Sequence, residues 1–596
     1  MKRFSVLPAL LVAAGLSATP AAAELGSGET LLPARNLSGA FLAAETARAE
    51  NDFAAAVQYY TEALRYDPDN PGLQQELLLA LVTNGEFDKA LPIAEDLKEE
   101  PQIERVSRLV LGIDAIRARR YLKADGSLIL TFEGDLERLL TTVMRAWARF
   151  GNNETDSALD MLAKLEGPDW FGLFTAYHGA LIADAAGRVD TAEELYQYGM
   201  TNTAGGSASP QTYIRLGETY AGFLARHGRG DEAQQALANA LAIAPGNPEL
   251  LALTAEDADL ARDALRIADP AKGAAEILFD LGTAINRDGA ENFAALYLEM
   301  ARVLAPDNAQ LYFELGGISE RLQLAERAIG YYDQVPEKSA FHEIAQLQKG
   351  LNLADIDRDE EAKAILSAAI EENPTEYRGY LALGGVYASL KEYAEAAALY
   401  ERAIANIDTS GESFWPLYYR MGIAYERIKQ WDKAEAAFKH ALELSPDQPD
   451  VLNYLGYSWI DMNINLHEGL DMIQKAVDRR PRDGYIVDSL GWVYYRLGRF
   501  EEAVTELEKA TDLRPRDATI NDHLGDAYWR VGRKLEATYQ WAQVLDMEIE
   551  PEEAAKVQAK LNASNAAGVE PEIASSRVDD AANSQTAASP ESANDG

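Results

Sequence analysis

A chain of 596 residues exceeds the size at which single hydrophobic cores stop growing, so several domains or one extended array are expected. The formal net charge of −41 repels phosphate backbones and argues against nucleic acid as the main partner. Cysteine is absent, which excludes disulfide staples and the acylated cysteine of a bacterial lipoprotein and leaves the core alone to hold the fold.

Residues 1–23 have the three-part layout of a secretory signal peptide: Lys2 and Arg3, an apolar run over 4–16, then Ala21-Ala22-Ala23 before Glu24. The run is shorter than the roughly 20 residues of a membrane span, so cleavage after Ala23 and export are expected, with no transmembrane segment in the mature chain. An exported protein without cysteine fits the periplasm of a Gram-negative bacterium. Residues 24–36 read as an extended leader broken by Gly26, Gly28 and Pro33.

Helix pairs follow over 37–274, with irregular spacing. Ala56, Tyr60, Ala63 and Pro68 mark the first. Register is lost over 103–165, where helical periodicity continues without unit markers. The pair carrying Leu216, Gly217, Tyr220, Ala233 and Ala240 has a turn, near 226–230, about four residues longer than later ones.

From 275 to 551 eight units run in register. Their first-helix glycines are Gly282, Gly316, Gly350, Gly384, Gly422, Gly456, Gly491 and Gly525, spaced 34, 34, 34, 38, 34, 35 and 34 residues apart. The second helices answer with small residues, among them Ala396, Ala434, Gly469, Ala503 and Ala537. The four extra residues fall near 408–412 between units and the single one near 463–466 within a turn, as intact helix packing requires. A helix pair with one apolar face per helix cannot bury that face alone, so repetition at this period means a stack. A terminal helix is expected over 552–562. The acidic remainder, 563–596, has almost no large apolar residues and is expected to be disordered.

The Leu-Gly-x-x-Tyr (or Trp) step, followed by Ala, an aromatic or Leu, Ala and Pro, resembles the tetratricopeptide repeat family over 275–551 and, more weakly, over 37–245. The resemblance implies an all-α fold, a right-handed superhelix of antiparallel helix pairs whose first helices line a concave groove. Leu455-Gly456-Tyr457, the run from Asp488 to Trp492 and Tyr-Arg-Leu-Gly-Arg also resemble bacterial envelope repeat proteins, some of which are adaptors for envelope proteases.

No nucleophile, phosphate-loop or zinc motif is present, and no cofactor or metal is expected. The acidic run from Asp355 to Glu361 lacks the glycine and terminal acid of a calcium loop, and Asp359 there reads as a helix cap. Function is expected in the groove. In the last four units the side chains one or two places off the packing stripe face the concave side: Tyr419, Arg420, Ile423 and Arg427; Asn453, Tyr454 and Tyr457; Asp488, Ser489, Trp492, Tyr495 and Arg496; Asp522, His523, Asp526, Trp529 and Arg530. Water-exposed tyrosine, tryptophan and arginine in a concavity are the residue types of binding hot spots. The alternative is that the wide tyrosines pack between units. These residues predict a non-catalytic scaffold or adaptor that holds one or more envelope proteins. A glycan-binding wall protein and an enzyme within 103–168 are the competing readings.

Overall fold

The computed structural model describes residues 34–100, 104–131, 134–201, 209–255, 259–260, 265–286, 289–547, 549–564, 571 and 573. The expected signal peptide and most of the leader and tail lie outside them. The chain divides into two compact units, 1–345 and 346–596. All regular structure among the described residues is helical, and none of these helices is long and apolar enough to cross a membrane.

Unit one holds α1 (Leu37–Ala49), α2 (Phe53–Tyr66), α3 (Pro71–Thr83), α4 (Phe87–Leu97), α5 (Glu104–Arg117), α6 (Tyr121–Ser127), α7 (Asp135–Gly151), α8 (Thr155–Ala163), α9 (Phe171–Ala185), α10 (Val189–Thr201), α11 (Pro210–Arg226), α12 (Gly230–Ile243), α13 (Pro248–Leu253), α14 (Pro270–Asn286), α15 (Glu291–Leu304), α16 (Ala309–Arg321) and α17 (Ala325–Tyr332). The stretch without unit markers is two more pairs, whose second helices α6 and α8 are merely short. The long turn expected after α11 is not there. Only His227, Gly228 and Arg229 separate α11 from α12, and α11 instead has 17 residues, against 13 in α26. Four residues make about one helical turn, so the insertion lengthens the helix and leaves its buried stripe in phase.

α14 lies across the first helices α5, α7, α9 and α11, while α15 packs on α3 and α5. Eleven consecutive residues of α14, Gly273 to Thr283, are buried, as in a helix packed on all sides. Arg327 donates to the Thr83 carbonyl, and Asn292 Nδ2 bonds Asn51 Oδ1 at 3.1 Å. The first-helix face of unit one is therefore filled by its own chain.

At that contact Arg215 of α11 grips Glu276 of α14 through Nε at 3.2 Å and Nη2 at 3.0 Å, and reaches Glu218 through Nη1 at 2.7 Å. Asp280 lies 3.8 Å from the His178 ring, both fully buried. Burial outweighs the pull of Arg215 and pushes Glu218 up to about 8; burial, then Glu276, raises Asp280 well above the carboxylate range. Burial holds His178 neutral, down to about 3. A carboxyl raised in the folded state contributes stability that is complete below its unfolded value and lost as pH rises through its folded one. Unit one is accordingly expected to weaken between about pH 5 and 8, by up to ~1.4 kcal/mol per pH unit per group. Glu218→Gln flattens that slope in urea melts, and an unchanged slope excludes Glu218 as its source.

Unit two begins inside α18 (His342–Asp355) and runs through α19 (Asp359–Glu372), α20 (Tyr377–Ser389), α21 (Tyr393–Asn406), α22 (Trp415–Arg427), α23 (Trp431–Leu444), α24 (Pro449–Asp461), α25 (Leu466–Arg479), α26 (Gly484–Arg496), α27 (Phe500–Leu513), α28 (Ala518–Arg530), α29 (Lys534–Leu545) and α30 (Pro551–Ser564). Asp359 does not cap α19. Arg358 holds the N-cap position without a side-chain bond to the backbone, and Asp359 is the first helical residue, where its charge complements the helix dipole. No group of three described acidic or histidine side chains is arranged to hold a metal.

Each repeat is closed at its glycine. A Cβ on Gly491 would lie 2.6 Å from Leu507 Cγ, on Gly422 2.5 Å from the Phe438 ring, and on Gly525 2.5 Å from Trp541. Gly384 meets Tyr400 in the same way. The partner sits 16 residues on each time, one turn beyond the fully buried alanines Ala396, Ala434, Ala503 and Ala537. The glycine thus accommodates a large residue, where the sequence reading set small against small. Gly456 differs: its Cβ would strike the Gly469 carbonyl oxygen at 2.7 Å. Backbone cannot rotate aside, so Gly456→Ala is expected to cost about 1–3 kcal/mol. Gly385 has nothing within 4 Å of a built Cβ, so Gly385→Ala is expected to add about 0.5–1 kcal/mol through helix propensity alone. Thermal melts of the two single variants check the opposite signs.

Candidate functional site

The first helices of the last four repeats, α22, α24, α26 and α28, bring the predicted residues to one face. Their burial differs from expectation. α26 buries all but two of its residues, Trp492 being 2% and Tyr495 0% exposed. Asp488, Ser489, His523, Asp526 and Ile423 are buried as well. Tyr419, Arg420, Arg427, Asn453, Tyr454, Tyr457, Arg496, Asp522, Trp529 and Arg530 are half-buried. The expected row of water-exposed aromatics is therefore corrected: these side chains pack on one another.

The packing joins neighbouring repeats. Trp492 stacks on Tyr495 with ring centroids 4.8 Å apart and on His523 at 3.9 Å. Tyr495 accepts a 3.1 Å hydrogen bond from Arg530 Nε, whose guanidinium also lies over the Tyr495 and Phe500 rings. Upstream, Tyr454 meets Tyr419 edge-on at 6.0 Å and donates to Glu426 at 3.2 Å. Burial raises the Tyr419, Tyr454 and Tyr457 hydroxyls above the usual phenol value, which keeps them neutral donors.

Charge is paired inside the same face. His523 Nδ1 lies 2.9 Å from Asp488 Oδ1. Lys560 of α30 bonds Asp522 Oδ1 at 2.8 Å and Asp526 Oδ1 at 2.6 Å. Burial alone would lower both bases, but the carboxylates prevail. His523 is raised by Asp488, then Asp522 and Asp526; Lys560 is raised by Asp526 and Asp522. The sequence reading placed Asp488 and His523 on the same face without pairing them, and did not include Lys560. The signal was available at one residue more than the repeat period: Asp488 with His523 and Tyr495 with Arg530 are each 35 apart.

Nothing in this arrangement supplies a nucleophile with its base. It offers aromatic surface, arginine and paired charge along a helix stack. Models described as TPR repeat and tetratricopeptide repeat match residues 491–532, 47–110 and 375–447. These stretches of the chain are tetratricopeptide repeats. A TPR repeat-containing protein of Pseudomonas aeruginosa is 29% identical over 201 residues, covering 32% of this chain and 32% of the relative. BBSome complex member BBS4 of Bos taurus is 27% identical over 126 residues, covering 21% of this chain and 22% of the relative. The chain thus spans about a third and about a fifth of the length of these curated relatives. The crystal structure of the APC/C hetero-tetramer Cut9-Hcn1 aligns over 89% of this chain and 96% of its own, at 13% identity and a TM-score of 0.37.

Within these tetratricopeptide repeats the Asp488–His523 pair sets a pH dependence. Its stability is complete below the unfolded histidine value, about 6.5, and lost as pH rises through the raised folded value. Asp488→Asn is expected to lower the His523 titration midpoint, read by NMR of the ring Cε1–H. It should also cost about 1.5–3 kcal/mol near pH 6, with a smaller difference at alkaline pH. A midpoint that does not move removes Asp488 as the cause.

Proposed function

We propose that this tetratricopeptide repeat protein is an exported, non-catalytic scaffold whose α22–α28 face holds a segment of an envelope protein, in the manner of an adaptor for envelope assembly or proteolysis. The observation that carries the reading is the half-buried rim of Tyr419, Tyr454, Tyr457 and Trp529, interleaved with Arg427, Arg496 and Arg530, along one face of unit two. Half-buried aromatics keep one edge for a partner while the other is held rigid, so little side-chain entropy is lost on binding. Arginine beside them favours carboxylate or carbonyl groups of an extended or helical peptide. The fully buried Trp492 and Tyr495 support that rim rather than meet the partner first.

The test is Arg427→Glu combined with Arg496→Glu, expected to spare the buried column and reverse the rim charge. Photo-crosslinking in cells, followed by mass spectrometry, should yield partners with the parent chain. The double variant should lose them by about 30-fold or more in affinity, the scale of hot-spot losses near 2 kcal/mol. Retained capture overturns the assignment. Export is read from the N-terminus of the protein released by osmotic shock, expected at Glu24.

A further inference from the structure

A cavity of about 410 Å³ opens on the second-helix side of unit two, where α21, α22 and α23 meet. Ile404, Tyr418, Met421, Tyr425, Ala436 and Ala437 line it, and none of them belongs to the predicted groove residues of the α22–α28 face. The repeat register explains why it is here. Ala437 follows the small Ala434 by three residues, a place held in the five other repeats of unit two by the larger Ile365, Leu399, Met472, Glu506 and Gln540. Met421 precedes its repeat glycine and is only half-buried, where Leu383, Leu455, Leu490 and Leu524 are buried. One step of the array therefore lacks a side chain, and the space faces water. Charge changes at the same step. Lys433 precedes Ala434, whereas Glu361, Glu395, Glu468, Glu502 and Glu536 precede the small residue in the other five. Lys433 Nζ lies 3.4 Å from Glu401 Oε1 of α21, with both side chains just over half exposed, and 4.7 Å above the Tyr425 ring. Glu401 takes its closer hydrogen bond from the Tyr425 hydroxyl.

We infer that this cavity binds a free α-amino acid with a large apolar side chain, its carboxylate on Lys433 and its ammonium on Glu401. Size points to a ligand of that order: the volume falls at the lower end of the roughly 300–1,000 Å³ of small-molecule pockets, too little for a dinucleotide or a folded segment. The lining points to the side chain. Two tyrosine rings, the Met421 thioether and an alanine floor offer an aromatic or branched group a dry, polarizable surface. The charges point to the zwitterion. Lys433 and Glu401 hold each other loosely, and an exposed pair of this kind contributes little, so a ligand bearing both charges can part them and pair with each. Glu401 keeps the Tyr425 hydroxyl throughout. An amine or an acid alone would leave one of the two protein charges without its partner, which lowers affinity for either. The site is separate from the rim and stands whether or not that rim holds a protein.

The test is a titration of the full chain carrying methyl-labelled methionine, with the Met421 signal identified by its absence from the Met421→Leu chain. L-phenylalanine should shift that signal saturably. Phenethylamine and hydrocinnamate, which carry the same ring with one charge each, should bind about tenfold or more weakly, the scale of one lost charged contact. Glycine, with both charges and no side chain, should leave the signal in place. Ala437→Leu restores the bulk that the other repeats carry and should abolish the shift with the helical circular dichroism unchanged. Lys433→Glu, the residue of the other repeats at an exposed position, should weaken L-phenylalanine by about tenfold or more and phenethylamine not at all. A Met421 signal that L-phenylalanine does not move overturns the inference. Equal affinity for the three ring compounds overturns it too, as does undiminished L-phenylalanine binding by either variant.

Discussion

Seven of the eight regular repeats depend on one close approach. A first-helix glycine gives up its side chain so that a leucine, phenylalanine, tyrosine or tryptophan, 16 residues later on the antiparallel helix, can settle against its backbone. The exchange is favourable because the large residue then buries most of its area, whereas a Cβ would hold the axes apart and leave gaps on both sides. The interhelix distance within each pair follows from that contact, and the stacking of one pair on the next follows from the pair's shape. Gly456 and Gly469 carry the same logic further, backbone against backbone.

Most of the architecture was legible because it is written in a period. The glycine spacing, the buried alanines and the position of the insertions depend only on local pattern, and a helix pair repeats its chemistry each time. Three features were not legible. The long turn predicted after Tyr220 is an extra turn of α11, since four residues added to a 3.6-residue helix preserve its face and look the same in sequence as a longer loop. The closure of unit one by α14 was hidden because that helix carries the ordinary repeat markers, and its unusual property, burial on every side, depends on contacts with helices more than a hundred residues away. The exposure assigned to Trp492 and Tyr495 followed helical geometry correctly to a face and then assumed that face was wet.

The same distinction separates the two kinds of site residue. Trp492, Tyr495, His523 and Asp488 form an internal column that couples neighbouring repeats through stacking and a buried ion pair. Tyr419, Tyr454, Tyr457, Arg427 and Arg496 retain partial access. A sequence pattern places both sets on the first helices, because pattern reports direction around an axis and not the depth of what lies opposite. Charge behaves likewise: Asp522 and Asp526, expected to face a partner in the groove, are met instead by Lys560 from outside the repeat pattern.

The added turn in α11 has a wider consequence. A whole added turn brings the buried stripe back to nearly the same azimuth, so a first helix of 17 residues serves where one of 13 does. A connecting turn takes up less, as the single residue added between α24 and α25 shows; it is absorbed by two asparagines, Asn463 and Asn465, in the left-handed region. Added residues are thus taken up in two ways in this chain, as a whole turn inside α11 and singly between α24 and α25.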